Sequence, residues 1–160
     1  MEEGKSGEGK KVMVAIDESE CSHYALQWAL DFLGDTIATS KLILLTVQPL
    51  VEFGYVYAST YGAAPVDLIA SVQENQKKVA LALLEKAKEI CANRGVVAET
   101  ITESGNPKDA ICEAVEKLDI QLLIIGSHGK GAVQRVFLGS VSNYCVHHAK
   151  CPVLVVRKTA

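Results

Sequence analysis

The residues with the most chemical potential lie between Gln121 and Ser142, in QLLIIGSHGKGAVQRVFLGSVS. Gly126, Gly129, Gly131 and Gly139 punctuate the stretch, with Ser127, His128, Ser140 and Ser142 among them. Glycine lets a backbone take positive φ and lets a ligand approach without meeting a Cβ. Successive exposed N–H groups in such a loop can curl into a nest that attracts anions. A helix starting near Ser140 adds unpaired donors and a partial positive charge, which suits phosphate. Ser140 either caps that helix through its oxygen or donates its hydroxyl to a bound phosphate. The same residues also fit a glycine-rich turn that only joins strand to helix, since short glycine motifs recur by chance.

Other chemistries fit less well. No G-x4-GK followed by Ser or Thr exists for a Walker phosphate loop, and no G-x-G-x-x-G follows the first strand, where the chain reads DESEC. These absences exclude P-loop nucleotidases and typical NAD enzymes. Ser127, His128 and Ser140 invite a hydrolase reading, but neither serine sits in G-x-S-x-G and nothing pairs the histidine with an acid. Cys145, His147, His148 and Cys151 have the residue types of a zinc site. They span a helix end followed by Pro152, where side chains diverge, so a structural zinc is disfavoured.

Regular elements must hold these residues in place. The run Leu122-Leu123-Ile124-Ile125 is short, apolar and bounded, as a buried parallel strand is. Residues 11–16, KVMVAI, form the first strand, with Asp17 at its carboxyl end. Residues 18–33 carry Tyr24, Ala25, Trp28, Ala29 and Phe32 at helical spacing. That predicts an amphipathic helix with Ser19 or Ser22 near its cap, Trp28 as a core anchor and Gly34 as its stop. Residues 42–47, LILLTV, form the second strand. Residues 51–65 hold Phe53, Tyr55, Tyr57 and Tyr61. They are either a lid or a partner surface or, the favoured reading, a variable loop with locally packed tyrosines.

A long helix is expected over residues 67–94, with Val72, Val79, Leu83, Leu84, Ala87 and Ile90 as its apolar stripe and Gly95 as terminator. A third strand covers residues 96–102. Asn106-Pro107 supplies a cap and a first-position proline for a helix reaching Leu118. After the glycine strand come the short helix from Ser140, then Pro152, then the strand Val153–Val156. Strands alternating with helices predict an α/β fold with a parallel sheet and helices on both faces. Ligands of such sheets sit at the carboxyl ends of the strands.

A chain of 160 residues fits one domain with a substantial core, and 49% hydrophobic with 22% charged residues is ordinary for a globular protein. The net charge of -3 argues against a general nucleic-acid binder. No apolar run is long enough to span a bilayer, so no membrane association is expected. Residues 1–10 lack a hydrophobic signal core and read as a flexible tail, which makes the cytoplasm the expected location. Five cysteines without a CxxC pair predict reduced, mostly packed thiols.

Gly126, two residues, Gly129, nine residues, then Gly139-Ser140 matches the G-x2-G-x9-G-[S/T] signature of the universal stress protein family. Residues 11–19, KVMVAIDES, resemble the family's first strand and the Asp that follows. Residues 148–157, HAKCPVLVVR, resemble its last helix end and final strand. The resemblance implies one domain over residues 11–158, a Rossmann-like, adenine nucleotide alpha hydrolase-like fold with a single open five-stranded parallel sheet ordered 3-2-1-4-5. It also implies ATP or AMP as bound ligand, with Mg accompanying a triphosphate.

On that resemblance Asp17 matches the acid that holds the ribose hydroxyls, Ala15 lies on the crevice floor, and the Val47 backbone contacts adenine. Gly126, His128 and Gly129 line the ribose and α-phosphate. Gly139, Ser140, Val141 and Ser142 bind phosphates through N–H groups and hydroxyls. Lys130 and Arg135 are read as solvated. Val153–Val156 is an uncharged apolar edge, and the family pairs it across a two-fold homodimer. The function implied is a nucleotide-dependent sensor or regulatory module in stress response. A slow ATP hydrolase or phosphotransfer enzyme is one alternative, for which no convincing general base is visible. A non-binding interaction protein is another, and the complete signature weighs against it.

Overall fold

The structure, a computed structural model, describes residues 9–49, 66–128 and 138–158. The tail up to residue 8, the tyrosine-bearing residues 51–65, and Gly129, Lys130 and Arg135 lie outside the described residues. The described elements are β1 (Lys11–Ala15), α1 (Glu20–Phe32), α2 (Gly34–Ala38), β2 (Lys41–Gln48), α3 (Val66–Ala92), β3 (Ala98–Ser104), α4 (Pro107–Lys117), β4 (Leu122–Gly126), α5 (Ser140–His148) and β5 (Val153–Val156).

The strands form one parallel sheet in the order β3-β2-β1-β4-β5, as the family resemblance implied. The strand order reverses at β1, whose neighbours are β2 and β4. Ala15 pairs with Leu45 on one side and Ile125 on the other, so three carboxyl ends converge there.

Alternation along β1 decides which helices cover which face. Val12 and Val14 join Leu42, Leu44 and Ile124 against α1, α2 and α3 in one core. Met13 and Ala15 join Ile43, Leu45, Leu123 and Ile125 against α4 and α5 in the other. Met13, Val14, Leu44, Leu45, Leu123 and Ile124 are wholly buried. Each such side chain contributes roughly 1.5–3 kcal/mol relative to exposure. Strands buried on both faces need continuous apolar runs, and β1, β2 and β4 have them.

Several local expectations differ from the structure. Gly34 does not stop the helical path; it opens α2 directly after the C-cap Leu33. Ile37, 1% exposed, supplies the reason, because a second short helix carries it into the core. Phe32 lies outside the core at 69% exposure and stacks on the half-buried Trp28, ring centroids 4.9 Å apart. The α3 stripe holds at Leu84 and Ala87, which are buried, and at Leu83 and Ile90, which pack against the same core; Ala80 and Cys91 join it, whereas Val79 is exposed. The third strand begins at Ala98 and not at Val96. Gly95 turns the chain at φ 74, Val96 N–H returns to the Cys91 carbonyl, and the following Val97 is left in solvent.

The two sheet edges differ in chemistry. β3 reads AETITES and carries Glu99 paired with Lys41 at 3.2 Å across to β2. Charge of this kind blunts an edge against further pairing. β5 reads VLVV and has no charged residue.

Candidate functional site

A cleft of about 700 Å³ opens at the carboxyl ends of β1, β2 and β4. Ala15, Asp17, Val47, Gly126, His128, Gly139, Ser140, Val141 and Ser142 all line it, which leaves Gly129 as the predicted site residue that falls outside the described residues. Sequence reasoning missed Gln48, Asn75, Gln76 and Val79, which also line the cleft. The last three come from α3, where Val79 was expected in the apolar stripe and nothing local in the sequence pointed to the cleft.

Asp17 is fixed by the start of α1. Its Oδ1 accepts the Ser19 N–H at 2.8 Å. Ser22 clamps the same residue twice: its Oγ accepts the Asp17 N–H at 3.0 Å and donates to the Asp17 carbonyl at 2.9 Å. Ser19 is the N-cap, its Oγ accepting the Ser22 N–H at 3.2 Å. The Ser19 hydroxyl lies 3.4 Å from the His128 carbonyl, which links this turn to the loop after β4. A carboxylate near a helix N-terminus also gains from the helix dipole. The DES turn therefore holds Asp17 in one orientation at the cleft.

Gly126 has a packing role that spacing did not reveal. A Cβ there would lie 2.8 Å from the Cys21 carbonyl carbon and 2.9 Å from its oxygen. The glycine lets the first turn of α1 press against β4. Its main chain lines the cleft, but helix packing by itself already demands glycine.

The loop after Gly126 is pinned at both ends by one residue, Ser127. Its N–H donates to the Val156 carbonyl at 2.9 Å. Its carbonyl accepts the Gly139 N–H at 2.6 Å and the Ser142 hydroxyl at 2.8 Å. The Ser142 Oγ also lies 3.1 Å from the Gly139 carbonyl, and both serines are 2% exposed. The Ser142 hydroxyl thus holds the loop's two ends together from inside. We expect Ser142→Ala to lower unfolding free energy by ~1–2 kcal/mol, because a buried hydrogen bond is lost. Urea unfolding of parent and variant measures this; an unchanged midpoint would show that the hydroxyl holds nothing.

Gly139, not Ser140, is the N-cap of α5, and no side chain among the described residues caps that helix. First-turn amides have no intrahelical acceptors. Ser140 stands at the first helical position with its side chain exposed. Of the two expected roles of Ser140, capping is not the one it plays. A Cβ on Gly139 would meet the Ser127 oxygen at 3.0 Å and His128 Cα at 3.3 Å, so the turn is tight. Beside it, His128 Nδ1 is buried without a hydrogen-bond partner among the described residues. A buried polar atom of this kind calls for a ligand or water.

Among the described residues, no group of three or more His, Cys, Asp or Glu side chains could hold a metal ion. The 145–151 segment is not drawn into a zinc site. Cys145 is buried in the core, and His148 stacks on Tyr144 with centroids 4.1 Å apart.

Comparison with known proteins agrees with this geometry. The family model described as the universal stress protein family matches residues 9–157. A universal stress protein A-like protein of Arabidopsis thaliana is 36% identical over 163 residues, covering 96% of this chain and 93% of that protein. Universal stress protein YxiE of Bacillus subtilis is 33% identical over 147 residues, covering 92% and 98% respectively. A solved universal stress protein family protein from Arabidopsis thaliana, with AMP bound, matches at TM-score 0.68 and 28% identity over 94% of this chain and 93% of that one. Matched by the family model over nearly its whole length and 36% identical to a relative of which it covers 93%, the chain belongs to the universal stress protein family.

Proposed function

We propose that the cleft binds an adenine nucleotide, ATP or AMP, and that the protein is a nucleotide-dependent sensor or regulatory module in stress response. The observation that carries this reading is the α5 start. Its uncapped first turn opens into a cleft of about 700 Å³ that also holds the Asp17 carboxylate. Small-molecule pockets of roughly 300–1,000 Å³ are usual, so the cleft has room for a nucleotide. The AMP carried by the 28%-identical relative supports the same assignment.

In this reading Asp17 accepts from the ribose hydroxyls, the Val47 backbone meets adenine, and Ala15 forms the floor. The Gly139, Ser140 and Val141 segment with Gly129 receives phosphate, while His128 and Gly126 flank the ribose. With a triphosphate, Asp17 would hold Mg together with phosphate oxygens and water, as Mg commonly prefers. The folded unit is residues 11–158, its working location the cytoplasm. The uncharged β5 edge pairs with a second copy in a two-fold dimer, since the opposite edge is protected by charge and β5 is not.

Calorimetry with AMP and with ATP, followed by a turnover assay on the same sample, tests the proposal. Binding without product formation is the expected result. Turnover that disappears in Asp17→Ala would replace the sensor with a slow hydrolase. No binding at millimolar nucleotide would leave an interaction protein. Sedimentation of that sample should show a dimer, and a monomer would remove the β5 pairing.

A further inference from the structure

Away from the cleft mouth, three cysteines gather where α4, α5 and the start of β5 pack together. Cys145 on α5 is wholly buried, and Cys112 on α4 and Cys151 before β5 are half-buried. The Cys112 and Cys145 sulfurs stand 4.0 Å apart, which is contact distance across the α4–α5 interface. A disulfide needs about 2.05 Å, so side-chain rotation with a small approach of the helices must close the difference.

We propose that Cys112 and Cys145 are a peroxide-sensitive dithiol that closes to a disulfide joining α4 to α5. Cys112 is the member oxidised first because it has solvent access and Cys145 has none. Its thiolate sulfur displaces the far oxygen of hydrogen peroxide: an S–O bond forms, the O–O bond breaks, and hydroxide leaves to become water. Cys112 is then a sulfenic acid. The Cys145 sulfur attacks the Cys112 sulfur, the S–O bond breaks, and the departing hydroxide takes the Cys145 proton as a second water. Two thiols lose two electrons to one peroxide.

The surroundings set the speed. Burial pushes the Cys145 thiol up to about 12 and lifts Cys112 as well, where the hydrogen bond to Cys145 opposes the rise and Asp109 adds to it. Cys151, also raised by burial, faces the pair from the β5 side, and Tyr144 and Lys108 lie beside Asp109 on the α4–α5 surface. Few thiolates exist at neutral pH, so closure is slow there and accelerates as pH rises. Sustained peroxide, not a brief pulse, is the condition that closes the pair.

The position couples the bond to the cleft. α4 lends Pro107 and Ile111, the residue before Cys112, to the cleft lining, and α5 begins in it five residues before Cys145. Drawing the helices together turns the first-turn amides of α5. AMP binding to the oxidised protein should weaken roughly fivefold, at the low end of measured couplings. This consequence rests on the nucleotide reading; the bond itself does not.

The test uses the full reduced chain, treated with hydrogen peroxide and mapped by peptide mass under non-reducing conditions. The expected product is a cross-linked Cys112–Cys145 peptide pair, two hydrogens lighter than its parts. Cys112→Ser, which keeps AMP affinity in the reduced state, should lose both the cross-link and the affinity change. Over-oxidised Cys112 beside an untouched Cys145, or a cross-link to Cys151 instead, would overturn the pairing. A Cys112–Cys145 link with unaltered AMP affinity would overturn the coupling. Reduced protein that fails to bind AMP counts against the nucleotide reading alone, because the peptide map is read without nucleotide.

Discussion

Gly126→Ala is expected to destabilise the protein by ~3 kcal/mol, the upper range for forcing one extra carbon into a packed interior. The new Cβ would stand 2.8 Å from Cys21 C, 2.9 Å from Cys21 O and 3.0 Å from Ser22 N. All three neighbours are backbone, so no side chain can rotate aside. Relief requires α1 to move off β4, and α1 carries the Ser19 and Ser22 contacts that fix Asp17. Loss of stability should therefore come with weaker AMP binding. Gly34→Ala is the control: a Cβ there meets nothing within 4 Å, and alanine is the better helix former. Urea unfolding of both variants measures the effect. If Gly126→Ala unfolds within ~0.5 kcal/mol of the parent, as a surface substitution would, the close approach of α1 to β4 is wrong.

Asp17→Ala should weaken AMP binding by about ten- to a hundredfold, since a hydrogen bond to a charged group is worth ~1.5–3 kcal/mol. Folding should suffer less, by ~1 kcal/mol, because the Ser19 N–H loses its acceptor. Asp17→Asn separates the two effects. Its side-chain oxygen can still accept from Ser19, so the turn survives, while the charge that strengthens the ribose contact is gone. Parent-like stability with reduced affinity is the expected outcome for Asn. Calorimetry on Asp17→Ala that returns the parent's affinity would remove Asp17 from the ligand.

Much of the site was legible because its residues are local in sequence. The run before Gly126 reads as a buried strand, the DES turn follows another such strand, and Asn106-Pro107 announces α4; the structure keeps all three. The signature spacing likewise brought Gly126, His128, Gly139 and Ser140 to one cleft. What spacing could not separate was why each glycine or serine is there. Gly126 reads as a place for a ligand to approach, yet a helix from over a hundred residues earlier occupies its Cβ position. Ser142 reads as a phosphate hydroxyl, yet its Oγ closes the loop internally on Ser127.

By itself the sequence determined the alternating α/β order, the apolar strands and the family, because periodicity and glycine spacing act over a few neighbouring residues. Tertiary structure alone decided that Gly34 opens a helix, that Asn75, Gln76 and Val79 overlook the cleft, and that two thiols 33 positions apart touch. These are contacts between elements distant along the chain. Their distances follow from how helices settle on a sheet, and no local pattern encodes them.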